Sequence, residues 1–542
     1  MTILTLNRKE LEKKIGKITP QIEEKITMMG APVEESNEKE ISVEVFPNRP
    51  DLLSLQGFSR ALLQYLGKAK PSRFKVYPSE KDYAVKIEKS VKPVRPFTQC
   101  AIVKGLKFDD EKIKEIIDIQ EKLHMTIGRK RKKVAIGIYP LDKIKLPIRF
   151  AGRKPDEIKF IPLEMDRELT GAQILRQHPT GREYANLLKD AEVYPVFIDA
   201  DDKILSMPPI INSQETGKIT EKTKDVFIEC SGFNKAYLKK CINIIATALF
   251  DMDGKIYSMT IEDSGKESSP DLEPWELDFK IEDINKMLGL ELSAKEISKY
   301  LYRMGVDVKN GKAVIPSYRA DILHWVDLAE EVAIAYGYNN FKEEIPRIPG
   351  NAEDDKTERN KKVLGDILAG LGLLECSSFH LAVKNDVKKM HYDFKDWIGV
   401  EDSKTEYNIL RIDLMSNLLK ILSENSDASY PQKIFEIGRV FSSGDSETGI
   451  KEDEHLAVAL IDEKITFTDA KQILNYLFKM LDKEYKIEEV ENNNYIPGRV
   501  GKILSDRKEI GRIGEVAPRV LKNFGLGFPV AGFEIDLNFL ID

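Results

Sequence analysis

At 542 residues, 42% of them hydrophobic and 32% charged, the chain is too long for one hydrophobic core, and about three to five domains are expected. A net charge of −7 and a pI near 5.7 exclude the overall basic footprint of a typical nucleic-acid binder, so any RNA contact must be local. Cys100, Cys230, Cys241 and Cys376 are too scattered for a disulfide framework or a structural zinc site. With no apolar run of ~18 residues and no signal-peptide pattern at Met1-Thr2-Ile3-Leu4, the expectation is a soluble cytoplasmic protein with no membrane association.

In chain order, the turn Phe46-Pro47-Asn48-Arg49-Pro50-Asp51 introduces apolar residues at Leu52, Leu55, Phe58, Leu62 and Leu66, a spacing that predicts a helix with one buried face. Prolines and alternating charges between Tyr77 and Pro96 predict a linker or an edge strand. Mixed short strands and helices then continue to about Pro270 and read as one α+β domain. The proline-rich joint Ser268-Ser269-Pro270-Asp271-Leu272-Glu273-Pro274 opens a more legible module. Two short helices, Ile281 to Leu288 and Ser293 to Met304, are predicted, the second with Ser293 as N-cap and Glu296 at the capping-box position. Val306 and Val308 alternate with polar residues, Asn310-Gly311 signals a type I′ turn, and Ala313-Val314-Ile315 returns. Helix, helix, hairpin is the order of a winged helix. From about Gly350 to Asp542, strands such as His455 to Ile461 and helices such as Asp469 to Leu481 imply an α+β domain with a largely antiparallel sheet, and Glu353 to Lys362 reads as an exposed helix start.

The sharpest local signal is Arg319-Ala320-Asp321-Ile322-Leu323-His324-Trp325-Val326-Asp327-Leu328-Ala329-Glu330-Glu331. On a helix, Asp327, Glu330 and Glu331 stand at i, i+3 and i+4 on one face, and Asp321 could reach the same side; Ile322, Trp325, Ala329, Val332 and Tyr336 form another face. Such density of carboxylates suits a hard cation such as Mg²⁺, a solvated acidic helix start, or an arginine from a partner chain, and spacing alone favours the solvated helix start over the metal.

D-x5-D-x2-E-E after a winged hairpin resembles the metal-binding module of phenylalanine-tRNA ligase β subunits. Phe46-Pro47-Asn48-Arg49-Pro50-Asp51-Leu52-Leu53-Ser54, Met207-Pro208-Pro209-Ile210-Ile211-Asn212-Ser213 and Lys433-Ile434-Phe435-Glu436-Ile437-Gly438-Arg439-Val440-Phe441 resemble further blocks of that family, in the family's order. The length is similar to the archaeal and eukaryotic branch. The resemblance implies a multidomain α+β chain: an N-terminal α+β domain (1–88), an editing domain (89–270), a winged-helix-like module with a Mg²⁺-binding helix (271–348), and a degenerate class II synthetase-like antiparallel-sheet domain docking an α subunit (349–542). It further implies an α2β2 heterotetramer that binds tRNA(Phe), with ATP as substrate of the complex, and Mg²⁺ held by Asp321, Asp327, Glu330 and Glu331 at a site shared with the α subunit.

Aminoacylation is expected on the α subunit. The strand block Tyr407-Asn408-Ile409-Leu410-Arg411-Ile412-Asp413-Leu414 is similar to a synthetase strand, but the later G-x-G-x-x-x-R-x-E pattern is missing and Arg411 reads as a strand-end arginine paired with an acid. No phosphate loop, H-E-x-x-H or G-x-S-x-G motif occurs. What the resemblance assigns to this chain is hydrolytic editing, because an apolar pocket for phenylalanine rejects tyrosine by only about a hundredfold. Candidate editing residues are Asn212, Ser213 and Thr216, to orient a water or the terminal ribose, and Glu229, to bind the phenol hydroxyl or polarise water. Each has an alternative as a turn or strand residue capping backbone groups. The chain departs from the family at Cys230, where threonine is common. His178 is read as structural, and Arg129-Lys130-Arg131-Lys132-Lys133 as either a solvated turn or a phosphate contact. A non-enzymatic winged-helix nucleic-acid-binding or scaffold protein is the main alternative, but its second helix offers only Lys295, Lys299 and Arg303 beside Glu296, which is modest for groove binding. A self-sufficient hydrolase would need a nucleophile and base that are not visible.

Overall fold

The computed structural model describes residues 2–345, 350, 352–391 and 394–538. The chain divides into two compact units, residues 1–345 and 346–542.

The first unit begins with an antiparallel three-stranded sheet in which Glu40–Val45 lies between Thr2–Asn7 and Val33–Ser36. Period-2 alternation sends Leu4, Leu6, Ile41 and Val43 into the core. The predicted helix forms as Leu55–Tyr65, preceded by the 3-10 turn Pro50–Leu52 and capped where Ser54 Oγ accepts from Gly57 N at 3.0 Å. A Cβ on Gly57 would stand 1.9 Å from Asp51 O, so only glycine lets the turn close on the helix.

The stretch read as a linker or an edge strand begins in an edge strand, Val76–Tyr77, and continues through an internal one. Ala84–Ile87 lies inside a seven-stranded sheet, parallel to both neighbours, Ile148–Arg153 and Met259–Glu262. Val76–Tyr77 likewise pairs in parallel with Lys255–Tyr257 in a second, five-stranded sheet. Strands on both sides of residue 88 therefore belong to the same two sheets. Short strands flanked by proline carry too little periodicity to announce this, and long-range pairing decides it.

In the five-stranded sheet, Val226–Gly232 is sandwiched between Phe97–Lys104 and the edge strand Val134–Pro140. Val226–Gly232 is buried throughout. The two sheets share a core in which Val85, Phe150, Phe197, Tyr139 and Phe227 meet, with Phe150 and Phe197 stacked at 4.3 Å; each such aromatic contributes about 1.5–3 kcal/mol by burial. Helix Lys235–Phe250 covers the other face of the central strand, and Cys230 packs there with Leu238, Cys241 and Ile242.

Next come helices Ile281–Leu288 and Ala294–Arg303, with the Ser293/Glu296 capping box in place. The hairpin Asp307–Lys309/Lys312–Ile315 turns at Asn310 and Gly311, whose φ values of 50° and 77° suit a type I′ turn. A third strand, Trp275–Asp278, pairs with Lys312–Ile315 and had no signal in the sequence reading. Helix Trp325–Tyr336 follows, capped by His324 and Asp327, so Asp321 lies in the preceding loop and not in the helix itself.

The second unit is built on a seven-stranded sheet, antiparallel except where Leu374–Glu375 joins one edge in parallel. Its predicted strand is longer than expected, Ile450–Ile461, and its predicted helix runs Phe467–Met480. Alternation sorts the faces: Val458 and Phe533 meet helices Lys356–Gly370 and Phe467–Met480, whereas Ala457 and Ala459 meet Met415–Glu424 and Pro518–Phe524. Among the described residues, no helix is long and apolar enough to cross a membrane.

Candidate functional site

The central region holds a cavity of about 470 Å³, with Asn212 and Glu229 among its lining residues. Its walls are chiefly aliphatic: Ile113 and Ile116 come from helix Asp110–Met125, Ile136 and Ile138 from the edge strand, and Ile210 from the turn before Asn212. Glu229 projects from the central strand directly opposite Gly137. A Cβ on Gly137 would fall 2.6 Å from Glu229 Oε1 and 2.2 Å from the Tyr139 hydroxyl, so the glycine creates the space both groups use.

The polar side is small. The Tyr139 hydroxyl lies 2.8 Å from Ser206 Oγ and 3.3 Å from both Asn212 Oδ1 and Glu229 Oε1. With one proton, it donates fully to only one of them at a time. Glu229 Oε2 is buried without a hydrogen-bond partner. Burial pushes the Glu229 carboxyl up to about 8, despite the nearby Arg95 guanidinium and the hydrogen bonds of Tyr139 and Ser231. Arg95 does not clamp this acid; its Nε and Nη2 donate to Ser231 Oγ and Ser231 O at 3.0 and 2.7 Å.

Asn212 and Glu229 thus share the cavity, whereas Ser213 and Thr216 do not line it. Ser213 Oγ accepts from Glu215 N at 3.3 Å, and Thr216 Oγ1 donates to Leu205 O at 3.4 Å, so both hydroxyls are engaged with the backbone. Cys230 faces the helix side, away from Glu229, as strand alternation requires, so its departure from threonine falls in the apolar core. His178 is 2% exposed and its Nε2 donates to Leu163 O at 3.0 Å. In the basic run, Arg131 donates to Ile210 O and Glu121 Oε1 at 2.9 and 2.8 Å, which places it in the cavity wall; Arg129, Lys130 and Lys132 are exposed.

His124 and Glu121 were missed by the sequence reading. His124 Nε2 accepts from Ile136 N at 2.8 Å, so Nδ1 carries the proton toward Glu121 Oε1 at 3.2 Å. Burial holds the imidazole below its ordinary value. Burial alone would raise Glu121, but His124 and Arg131 bring it down to about 2. Their i, i+3 spacing was the available signal.

A second cavity, of about 730 Å³, is lined by all four acids, Asp321, Asp327, Glu330 and Glu331, with Asn48 and Arg49 opposite. Arg319, 2% exposed, donates to both Asp321 oxygens at 2.9 and 2.7 Å and lies 2.9 Å from Glu331 Oε1. Asp327 Oδ2 accepts from the Leu323 and His324 amides at 2.7 and 2.8 Å as part of the helix cap. Glu330 is exposed, and Glu331 Oε2 is buried without a partner. Among the described residues, no three His, Cys, Asp or Glu side chains are arranged to hold a metal ion. Two of the four expected Mg²⁺ ligands, Asp321 and Glu331, are thus paired with the Arg319 guanidinium.

Comparison with known proteins resolves what such a pair of sites belongs to. A model of the phenylalanyl tRNA synthetase beta chain CLM domain matches residues 342–537, one of the tRNA synthetase B5 domain matches 277–338, and one of the B3/4 domain matches 80–246. The phenylalanine–tRNA ligase beta subunit of Thermococcus kodakarensis is 37% identical over 98% of this chain and 98% of its own length. That of Archaeoglobus fulgidus is 35% identical over 100% and 99%. The chain belongs to the phenylalanine–tRNA ligase β subunit family. A crystal structure of an N-terminal fragment of the Pyrococcus horikoshii phenylalanyl-tRNA synthetase β-subunit matches with a TM-score of 0.58 and 36% identity, covering 62% of this chain and 99% of that one.

Two residues weighed from sequence have structural duties in this family member. Arg411, 1% exposed, donates to Glu436 Oε1 at 2.5 Å and to Arg439 O at 2.6 Å, the paired strand-end arginine expected. Arg303 donates to Tyr65 O and Ala335 O at 3.0 and 2.8 Å, which leaves the second helix of the module short of one cation that groove binding would need.

Proposed function

We propose that the chain works as the β subunit of a phenylalanine–tRNA ligase, in an α2β2 heterotetramer that uses ATP to attach L-phenylalanine to tRNA(Phe) in the cytoplasm. The α subunit forms the ester, and this chain removes tyrosine attached in error. Residues 89–270 then carry the editing site, 271–348 a winged-helix-like module, and 349–542 a class II synthetase-like domain without its own adenylate chemistry, docking the α subunit. The buried Arg411 pair is consistent with that division.

The observation that carries the editing reading is the unpartnered Oε2 of Glu229, a residue that lines a chiefly apolar cavity. A tyrosyl ring offers a hydroxyl to that oxygen, while a phenylalanyl ring leaves it desolvated and unmatched, a difference of about 1–3 kcal/mol. That corresponds to a discrimination of roughly ten- to a hundredfold. Because Glu229 titrates near 8, it is largely neutral at pH 7 and suits recognition of the phenol better than a general base. Asn212, on the same wall, orients the attacking water or the terminal ribose. In the reaction, water's oxygen bonds to the acyl carbon, the ester C–O bond breaks, and the proton passes to the leaving ribose oxygen. Ser213 and Thr216 serve by holding the 211–217 turn.

The test is deacylation of tyrosyl-tRNA(Phe) by the purified complex. Glu229→Gln and Asn212→Ala are each expected to slow it by about tenfold or more, with Ser213→Ala near wild type and phenylalanine charging retained. Unchanged deacylation in both cavity variants would remove the cavity from the reaction.

A further inference from the structure

Helix Asp110–Met125 is fastened to the edge strand Val134–Pro140 through two polar side chains. Gln120 Nε2 donates to Ile136 O at 2.7 Å, and His124 Nε2 accepts from Ile136 N at 2.8 Å. Both backbone groups of that edge residue are thereby satisfied by the helix. From His124 the bonds run on across the cavity wall. His124 Nδ1 donates to Glu121 Oε1 at 3.2 Å, Arg131 Nη2 donates to the same oxygen at 2.8 Å, and Arg131 Nη1 donates to Ile210 O at 2.9 Å. Ile210 stands two residues before Asn212, and both line the cavity. One guanidinium therefore joins the helix wall to the turn that delivers Asn212.

The backbone is bent to aim it. Arg129, Lys130 and Arg131 take φ values of 45°, 53° and 63°, three successive left-handed residues, none of them glycine. Each costs free energy, because its Cβ crowds the following carbonyl oxygen. Such strain persists where surrounding bonds over-determine the backbone. Here Lys133 N donates to Gly128 O at 2.8 Å and Arg131 N to His124 O at 3.3 Å. The guanidinium also lies over the Tyr184 ring, 4.7 Å from its centroid, so helix Pro179–Tyr184 holds it from a third side. The result is one inward arginine among the exposed Arg129, Lys130 and Lys132. A lysine would serve less well, since its point charge lacks the planar fork that reaches acceptors on two separate elements.

We propose that Arg131, locked by Glu121, is a positioning residue for editing: it ties the 208–212 turn to the helix wall and so fixes Asn212 for hydrolysis of the tyrosyl ester. The inference rests on the editing reading and adds to it a residue that acts through Asn212. The other side of the turn is held independently, by Leu163 N donating to Asn212 O at 2.9 Å and by the pairing of Asn212 with Ser206. Loss of Arg131 therefore displaces Asn212 while the strand pairing remains.

Deacylation of tyrosyl-tRNA(Phe) in single turnover, with the purified complex in varied excess, separates the limiting rate from the half-saturating concentration. Arg131→Met and Glu121→Ala are each expected to lower the limiting rate by about tenfold, the cost of a misplaced reacting group. The half-saturating concentration should stay within about twofold of wild type at low and high salt, because no phosphate contact is lost. In an Asn212→Ala background, Arg131→Met should slow the reaction by less than about twofold more, since the two residues act as one unit. A wild-type limiting rate in Arg131→Met would overturn the proposal. So would equal slowing in both backgrounds, or a salt-dependent rise in the half-saturating concentration at an unchanged limiting rate, which would make Arg131 a phosphate contact. If Glu229→Gln and Asn212→Ala leave deacylation unchanged, the editing reading falls and this inference with it; if they slow it and Arg131→Met does not, this inference alone falls. Should Arg131→Met fail to fold, Glu121→Ala decides the matter: it leaves the arginine's charge in place and removes only its anchor.

Discussion

The central cavity and the acidic cluster contain the same ingredients, a buried glutamate with one orphaned oxygen and a buried arginine, but only the cluster's arginine bonds to acids. In the cluster, Arg319 touches its acids directly, and Asp321 is held down at about 2. In the cavity, Arg95 spends its hydrogen bonds on Ser231, so burial dominates and Glu229 rises to about 8. Two-point contact with the guanidinium holds Asp321 down, whereas Glu331, touched by Arg319 through Oε1 alone, stays raised by its burial as Glu229 does. Proximity of opposite charge is therefore a poor guide to function unless the donor's own bonds are followed to their ends.

The largest expected effect comes from removing the direct contact. Arg319→Met strands Asp321 and Glu331 in a buried site and should lower stability by about 3–5 kcal/mol, measured as the denaturation midpoint. A change below about 1 kcal/mol would mean that the pair is no stronger than a surface one.

The next is a matter of pH. Glu229 has an ordinary value of 4.5 and a folded value of about 8, so between these limits the native state binds more protons than the unfolded chain. Its burial therefore makes stability fall as pH rises from about 4.5 to about 8, levelling beyond. The full shift sets a ceiling of about 5 kcal/mol, and Glu229→Gln should recover about 2 kcal/mol at pH 9, since the buried amide keeps part of the desolvation cost. Melting curves from pH 5 to 9, taken across that range of about four pH units, check the sign. A steeper fall in the variant than in the wild type would contradict it.

A smaller change probes the space that the cavity acid needs. Gly137→Ala places a methyl within 2.6 Å of Glu229 Oε1 and should destabilise by about 1–3 kcal/mol while impairing tyrosyl-tRNA hydrolysis. Normal hydrolysis in that variant would show that the carboxylate has room to move aside.

Much of the module from 275 to 345 was legible from sequence because its signals are local. Ser293 and Glu296 are three residues apart, Asn310-Gly311 specifies its own turn, and the apolar spacing of Ile322, Ala329 and Val332 marks the buried side of the 321–336 segment. The seven-stranded sheet of the second unit was also foreseeable as antiparallel, although its strands run longer than their apolar cores. Strands 76–77, 84–87 and 275–278 were not legible, since each is two to four residues long and acquires its identity from partners far along the chain. Among the candidate residues, composition and resemblance singled out Asn212, Ser213, Thr216 and Glu229 together, and nothing local distinguished the two that line the cavity from the two that do not. Only the hydrogen bonds to Leu205 O and Glu215 N separate the two pairs.

By itself the sequence determined the chain's family, its alternation of helices and strands, its capped helices and the presence of four acids on one short segment. The tertiary structure alone decided which acids are neutralised. Caps, turns and periodic faces depend on atoms within a few residues of one another, whereas the charge state of a carboxylate depends on burial and on donors from distant segments. Arg49 reaching toward Asp321, or Gly137 opening space beside Glu229, exists only once the chain has folded.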